Sequence, residues 1–165
     1  MRDLISRYSD EDLGELVLPK SKGTIAYGRV ELNQQAPLLA QLDRISAPVQ
    51  RTNPEPMEKL GQDYGFICYQ TRISGPRERQ ELVVQEVCDR ALVFVDGQFQ
   101  GVLERGNTEL SVSFAVPPEG AELLILVENM GRINYGPYLK DPKGITEGCD
   151  MAFNFYMIGR FIVCH

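Results

Sequence analysis

At 165 residues the chain has the length of one domain, since a single core serves about 100 to 200 residues. Hydrophobic residues make up 43% and charged residues 24%, a globular mix that excludes a disordered chain. The 17 Lys and Arg against 23 Asp and Glu leave a net charge of −6, which argues against nucleic acid or an anionic membrane surface as partner.

Residues 1–21 are acidic and weakly periodic and read as a linker or arm. No apolar run approaches the roughly 18 residues of a membrane span, and the first residues show no secretory signal, so a cytoplasmic, reducing compartment is expected. From Thr24 to Leu32 the pattern alternates, which predicts a strand. Leu38 to Leu42 is ambiguous between helix and strand. Pro54 to Gly61 predicts one or two helical turns, with Asn53 as N-cap, Pro54 at the first position and Gly61 as the stop. Tyr64 to Ile73 alternates again, and Leu82 to Val87 is a short β-branched stretch. Ala91–Val95 and Phe99–Leu103 flank Asp96-Gly97, the signature of a tight hairpin. Glu109 to Val116 turns Leu110, Val112, Phe114 and Val116 inward, and Pro117-Pro118-Glu119-Gly120 ends it. Ala121 to Val127 is almost wholly apolar, as a central strand covered on both faces requires. Residues 129–144 are rich in Gly, Asn and Pro and read as a long ordered loop. Short strands with turn signals every 8 to 12 or so residues predict an all-β sandwich.

Residue scarcity narrows the chemistry. The one His is His165, the last residue, a poor candidate for a buried catalytic imidazole. Four Cys at 68, 88, 149 and 164 form no CxxC pair, so neither a metal nor another cofactor is expected. Cys68 and Cys88 read as small buried hydrophobes. Glu104, Glu128 and Asp141 are the carboxylates to test for a glycosidase dyad, but no spacing selects a pair. Glu128 ends the most apolar strand and reads as an anchor for the following loop. In that loop Tyr135 and Tyr138 lie with Arg132, Asn134 and Asn129, an aromatic and polar set suited to sugar hydroxyls. The structural alternative is that Arg132 ties the loop down while Gly131 and Gly136 take positive φ.

Several blocks carry a resemblance. They are Tyr27-Gly28-Arg29-Val30, Gly61-Gln62-Asp63-Tyr64-Gly65-Phe66, Asp89-Arg90-Ala91 with Val95-Asp96-Gly97, and Gly101-Val102-Leu103-Glu104-Arg105. Then come Leu126-Val127-Glu128-Asn129-Met130-Gly131-Arg132-Ile133-Asn134-Tyr135-Gly136 and Lys143-Gly144-Ile145. In this order and spacing they resemble the β-domain of family-35 glycoside hydrolases, the β-galactosidases, over residues 22–148. The resemblance implies a jelly-roll sandwich of the galactose-binding-like type that follows a catalytic (β/α)₈ barrel. Neither glutamate motif of that barrel is present, and the barrel alone needs about 250 residues. No catalytic residue carries over, so the chain reads as a piece of such an enzyme, whether excised, split or truncated. Tyr135 or Tyr138 is then expected to face the barrel or the leaving-group sugar. Autonomous galactoside binding and homo-oligomer formation are the alternative expectations. Residues 149–165 depart from the family; Phe153, Phe155, Met157, Phe161 and Val163 suit one or two strands that cover or complete an edge of the sandwich.

Overall fold

The computed structural model describes residues 2–10, 17, 20–107, 111–147, 149–151 and 159–164, with two compact units, 1–35 and 36–165. The first unit contains a short helix, α1 (Arg2–Ile5). Its residues 20–35 form no strand, which corrects the reading of Thr24 to Leu32. Gly28 takes φ 72° and breaks the extended run, and Ile25, Tyr27, Val30 and Leu32 all stand exposed. Alternation alone makes no strand without a ladder partner.

The second unit is an all-β sandwich. Among its described residues lie eleven strands: β1 (Val49–Arg51), β2 (Phe66–Ile73), β3 (Arg77–Val84), β4 (Val87–Cys88), β5 (Arg90–Val95), β6 (Gln98–Glu104), β7 (Val112–Val116), β8 (Ala121–Glu128), β9 (Gly144–Ile145), β10 (Cys149–Met151) and β11 (Gly159–Cys164). They form a six-stranded sheet ordered β1-β11-β2-β8-β5-β6, a three-stranded sheet β10-β3-β7 and the pair β4-β9, with every pairing antiparallel. The last two strands lie in residues 149–165; Phe153, Phe155, Met157 and His165 fall outside the described residues.

The period-2 side-chain rule sorts β8 onto two cores. Leu123, Ile125 and Val127 join Ile67, Tyr69, Val93, Leu82 and Phe114 between the two larger sheets. Leu124 and Leu126 face the other way, with Cys68 and Leu42. Leu42 belongs to α2 (Leu38–Ile45), which settles the ambiguous stretch as a helix whose leucines cover the outer face. The Asp96-Gly97 turn joins β5 to β6 with φ 46° and 74°, the two positive values that a twist-matched hairpin needs.

Several boundaries differ from expectation: β2 starts at Phe66, not Tyr64, and the Leu82 to Val87 stretch breaks between Val84 and Val87. A 3₁₀ turn spans Met57–Leu60 with Pro56 at its start, not Asn53, although Gly61 does stop it, at φ 74°. Strand β3 begins at Arg77, well before Leu82, because its charged residues sit on a face turned toward water. Among the described residues, no helix is long and apolar enough to cross a membrane, and no His, Cys, Asp and Glu cluster is suited to a metal.

Candidate functional site

The loop of residues 129–143 leaves β8 and returns to β9. Its base is built on charge. Asp89 precedes β5 and Arg105 follows β6, so the hairpin register that pairs Arg90 with Glu104 brings the two together. The Arg105 backbone N–H donates to the Asp89 carbonyl at 2.8 Å. Between them lies Lys143, only 1% exposed. Its ammonium donates to both Asp89 carboxylate oxygens at 2.8 and 2.9 Å and approaches Asp141 Oδ2 at 2.8 Å. Arg105 Nη1 donates to Asp141 Oδ1 at 2.7 Å and reaches Asp89 Oδ1 at 3.4 Å. Two cations thus face two carboxylates, a neutral set.

Opposing effects act on Asp141, Lys143 and Arg105. Burial opposes ionisation of Asp141, but the hydrogen bonds from Lys143 and Arg105 outweigh it and hold the carboxyl below its ordinary value. Burial likewise opposes the Lys143 charge, and Asp141 and Asp89 overcome it, so the ammonium sits above its ordinary value. The hydrogen bond to Asp141 raises Arg105 further.

The same carboxylates receive the loop backbone. Met130 N–H donates to Asp89 Oδ2 at 2.9 Å, and Ile133 N–H to Asp141 Oδ2 at 3.4 Å. The Lys143 N–H meets the Glu58 carboxylate at 3.1 and 3.2 Å, and the Lys143 carbonyl accepts from Met57 N–H at 2.8 Å. Arg132 forks across the entrance. It donates twice to the Asp63 carbonyl at 3.2 and 3.0 Å, once to the Asp141 carbonyl at 2.9 Å, and pairs with Glu58. Asn129 adds an Asx turn, its Oδ1 taking the Gly131 N–H at 3.0 Å while its amide reaches the Asp63 carbonyl. Gly131 and Gly136 hold φ 117° and 94°. Beneath, the buried Tyr69 hydroxyl donates to the Glu55 carbonyl and accepts from Ile145 N–H, both at 2.9 Å. Burial lifts its pKa above the ordinary phenol value.

Residues picked from the sequence fall in two places. Arg132, Asn129, Gly131 and Gly136 form the base and turns of the loop. Tyr135 (89% exposed) and Tyr138 (72%) stand at its tip, beside exposed Asn134, Met130 and Leu139. Glu128 contributes its carbonyl, which accepts from Asp89 N–H at 3.1 Å; the carboxylates that take loop N–H groups are those of Asp89, Asp141 and Glu58. Glu104 pairs with Arg90 at 3.4 Å. Asp89, Arg105, Lys143, Glu58 and Tyr69 were not singled out from sequence as a site. A regular hairpin on Asp96-Gly97 would set Asp89 opposite Glu104; the register shift between Val93 and Phe94 brings it to Arg105 instead, and no residue pattern announced that bulge. Over the cluster lies an open depression of about 340 Å³ lined by Asp89, Arg105, Met130, Arg132, Asp141 and Lys143.

Residues 54–158 match the family model described as the first all-beta domain of beta-galactosidase. The chain belongs to this family. The beta-galactosidase of Xanthomonas manihotis is 38% identical over 143 residues, 87% of the chain and 23% of the relative. That of Homo sapiens is 37% identical over 161 residues, 93% of the chain and 23% of the relative. Beta-galactosidase 17 of Arabidopsis thaliana is 36% identical, over 78% of the chain and 20% of the relative. As a beta-galactosidase all-beta domain, the chain spans less than a quarter of the length of these relatives. The matched range takes in the hairpin, the charge cluster and the whole loop.

Proposed function

We propose that the sandwich is a non-catalytic domain of a β-galactosidase acting on terminal β-D-galactose residues, and that it packs on a catalytic (β/α)₈ barrel and shapes the rim of its active site. The observation that carries this reading is the loop tip. Tyr135, Tyr138 and Leu139 stand between 58% and 89% exposed on a loop whose base is pinned by hydrogen bonds. A rigid base with an apolar, aromatic tip is the form of a docking surface. The carboxylates support the non-catalytic part. A glycosidase acid must carry a proton near neutral pH, and Asp141 is held ionised between two cations.

The test grafts the chain in place of the matched region of the Xanthomonas manihotis relative. Tyr135→Ala is expected to raise KM about 2- to 10-fold, the worth of about 0.5–1.5 kcal/mol of aromatic contact, and to leave turnover in place. Loss of all turnover with the fold intact would sink the reading. Titration of the 165-residue chain with galactose and lactose is expected to give no heat; measurable heat would favour an autonomous galactoside-binding module instead.

A further inference from the structure

Lys143 presents an energetic puzzle. Desolvation of a buried ion cluster consumes much of its Coulombic gain, and apolar groups of similar volume are often as stable or more so. What such ions supply is direction, and here the directions converge on one segment. Met130 N–H ends on Asp89, Ile133 N–H on Asp141, and Lys143 N–H on Glu58. The two ends of the loop are therefore fixed to carboxylates, two of which Lys143 holds. Packing does not set the tip, since its large side chains are exposed.

Building on the docking reading above, we propose that Lys143 is a positioning residue. It holds Asp89 and Asp141 where their oxygens fix the path of residues 129–142, and so sets where Tyr135 and Tyr138 meet the catalytic partner.

The experiment replaces ions by apolar groups in the full chain, with Lys143→Met, Asp89→Leu and Asp141→Leu together. Melting is followed beside trypsin cleavage after Arg132 and Lys140, which flank the tip. The expected result is a Tm within about 5 °C of the parent and cleavage faster by about tenfold. Unchanged cleavage overturns the proposal, because burial alone would then be holding the loop. A collapsed Tm overturns it as well, since the cluster would be an element of stability. Asp141→Asn keeps the shape but leaves a buried cation uncompensated; it should lower Tm more than the triple variant does and speed cleavage, and unchanged cleavage again counts against the proposal. In the graft, the triple variant should raise KM about tenfold, as a displaced contact does, with kcat within about threefold. A KM response to Tyr135→Ala but none to the triple variant removes the role of Lys143 and leaves docking standing. No response to either removes the docking reading itself.

Discussion

Gly144 shows how little space surrounds the loop base. It holds φ 101°, and a Cβ added there would fall on the Tyr69 hydroxyl. Gly144→Ala is expected to cost about 1–2 kcal/mol for the left-handed backbone and about 1 kcal/mol for each hydrogen bond of Tyr69 that is displaced. Thermal denaturation checks the sum, and Tm unchanged within error would contradict the packing described. A second prediction concerns pH. The folded pKa of Asp141 lies below its ordinary 3.8, so its stabilisation is present above that value and is lost as pH falls through the folded pKa. Lys143 lies above its ordinary 10.5, so its contribution is present below 10.5 and is lost as pH rises through the folded pKa. Melting curves should therefore show no step from Asp141 or Lys143 between these limits, and Asp141→Asn should flatten the acid limb. An acid limb of unchanged slope in that variant would exclude Asp141 as its source. At this scale the sequence was partly legible. Arg132 and the loop glycines announce themselves by residue type, but Lys143 enters only as part of the Lys143-Gly144-Ile145 block, because nothing local marks a lysine for burial.

Elements were easier where two local signals agreed. Asp96-Gly97 between apolar runs fixed the β5–β6 hairpin, and the nearly continuous apolarity of Ala121 to Val127 forecast the two covered faces of β8. Reading failed where one signal stood alone. The alternation of Thr24 to Leu32 had no partner strand, and the charged half of β3 had a partner strand, β7, but no apolar pattern. Helix α2 was ambiguous because five residues hold too little of either period. The structure makes its role testable. Leu42 is the buried residue of α2, packed with Cys68, Leu124 and Leu126. Leu42→Ala should destabilise the sandwich by about 2–3 kcal/mol, toward the low end for core leucines, because one short helix covers this face. Urea denaturation measures it, and a loss below about 0.5 kcal/mol would mean that the helix adds little to the outer core.

For the whole molecule, fold class and family were both legible, because they rest on many weak patterns that agree. The charge cluster was not, since Glu58, Asp89, Arg105, Asp141 and Lys143 meet only through the finished topology. The same topology gives β11 an inside position. It lies between β1 and β2 in the six-stranded sheet, pairing Phe161 with Val49 on one side and with Tyr69 on the other. Among the described residues, strand β1 has no other partner in that sheet. During synthesis, then, β1 cannot take this place until residues 159–161 have followed it out, and contacts so far apart in sequence close slowly.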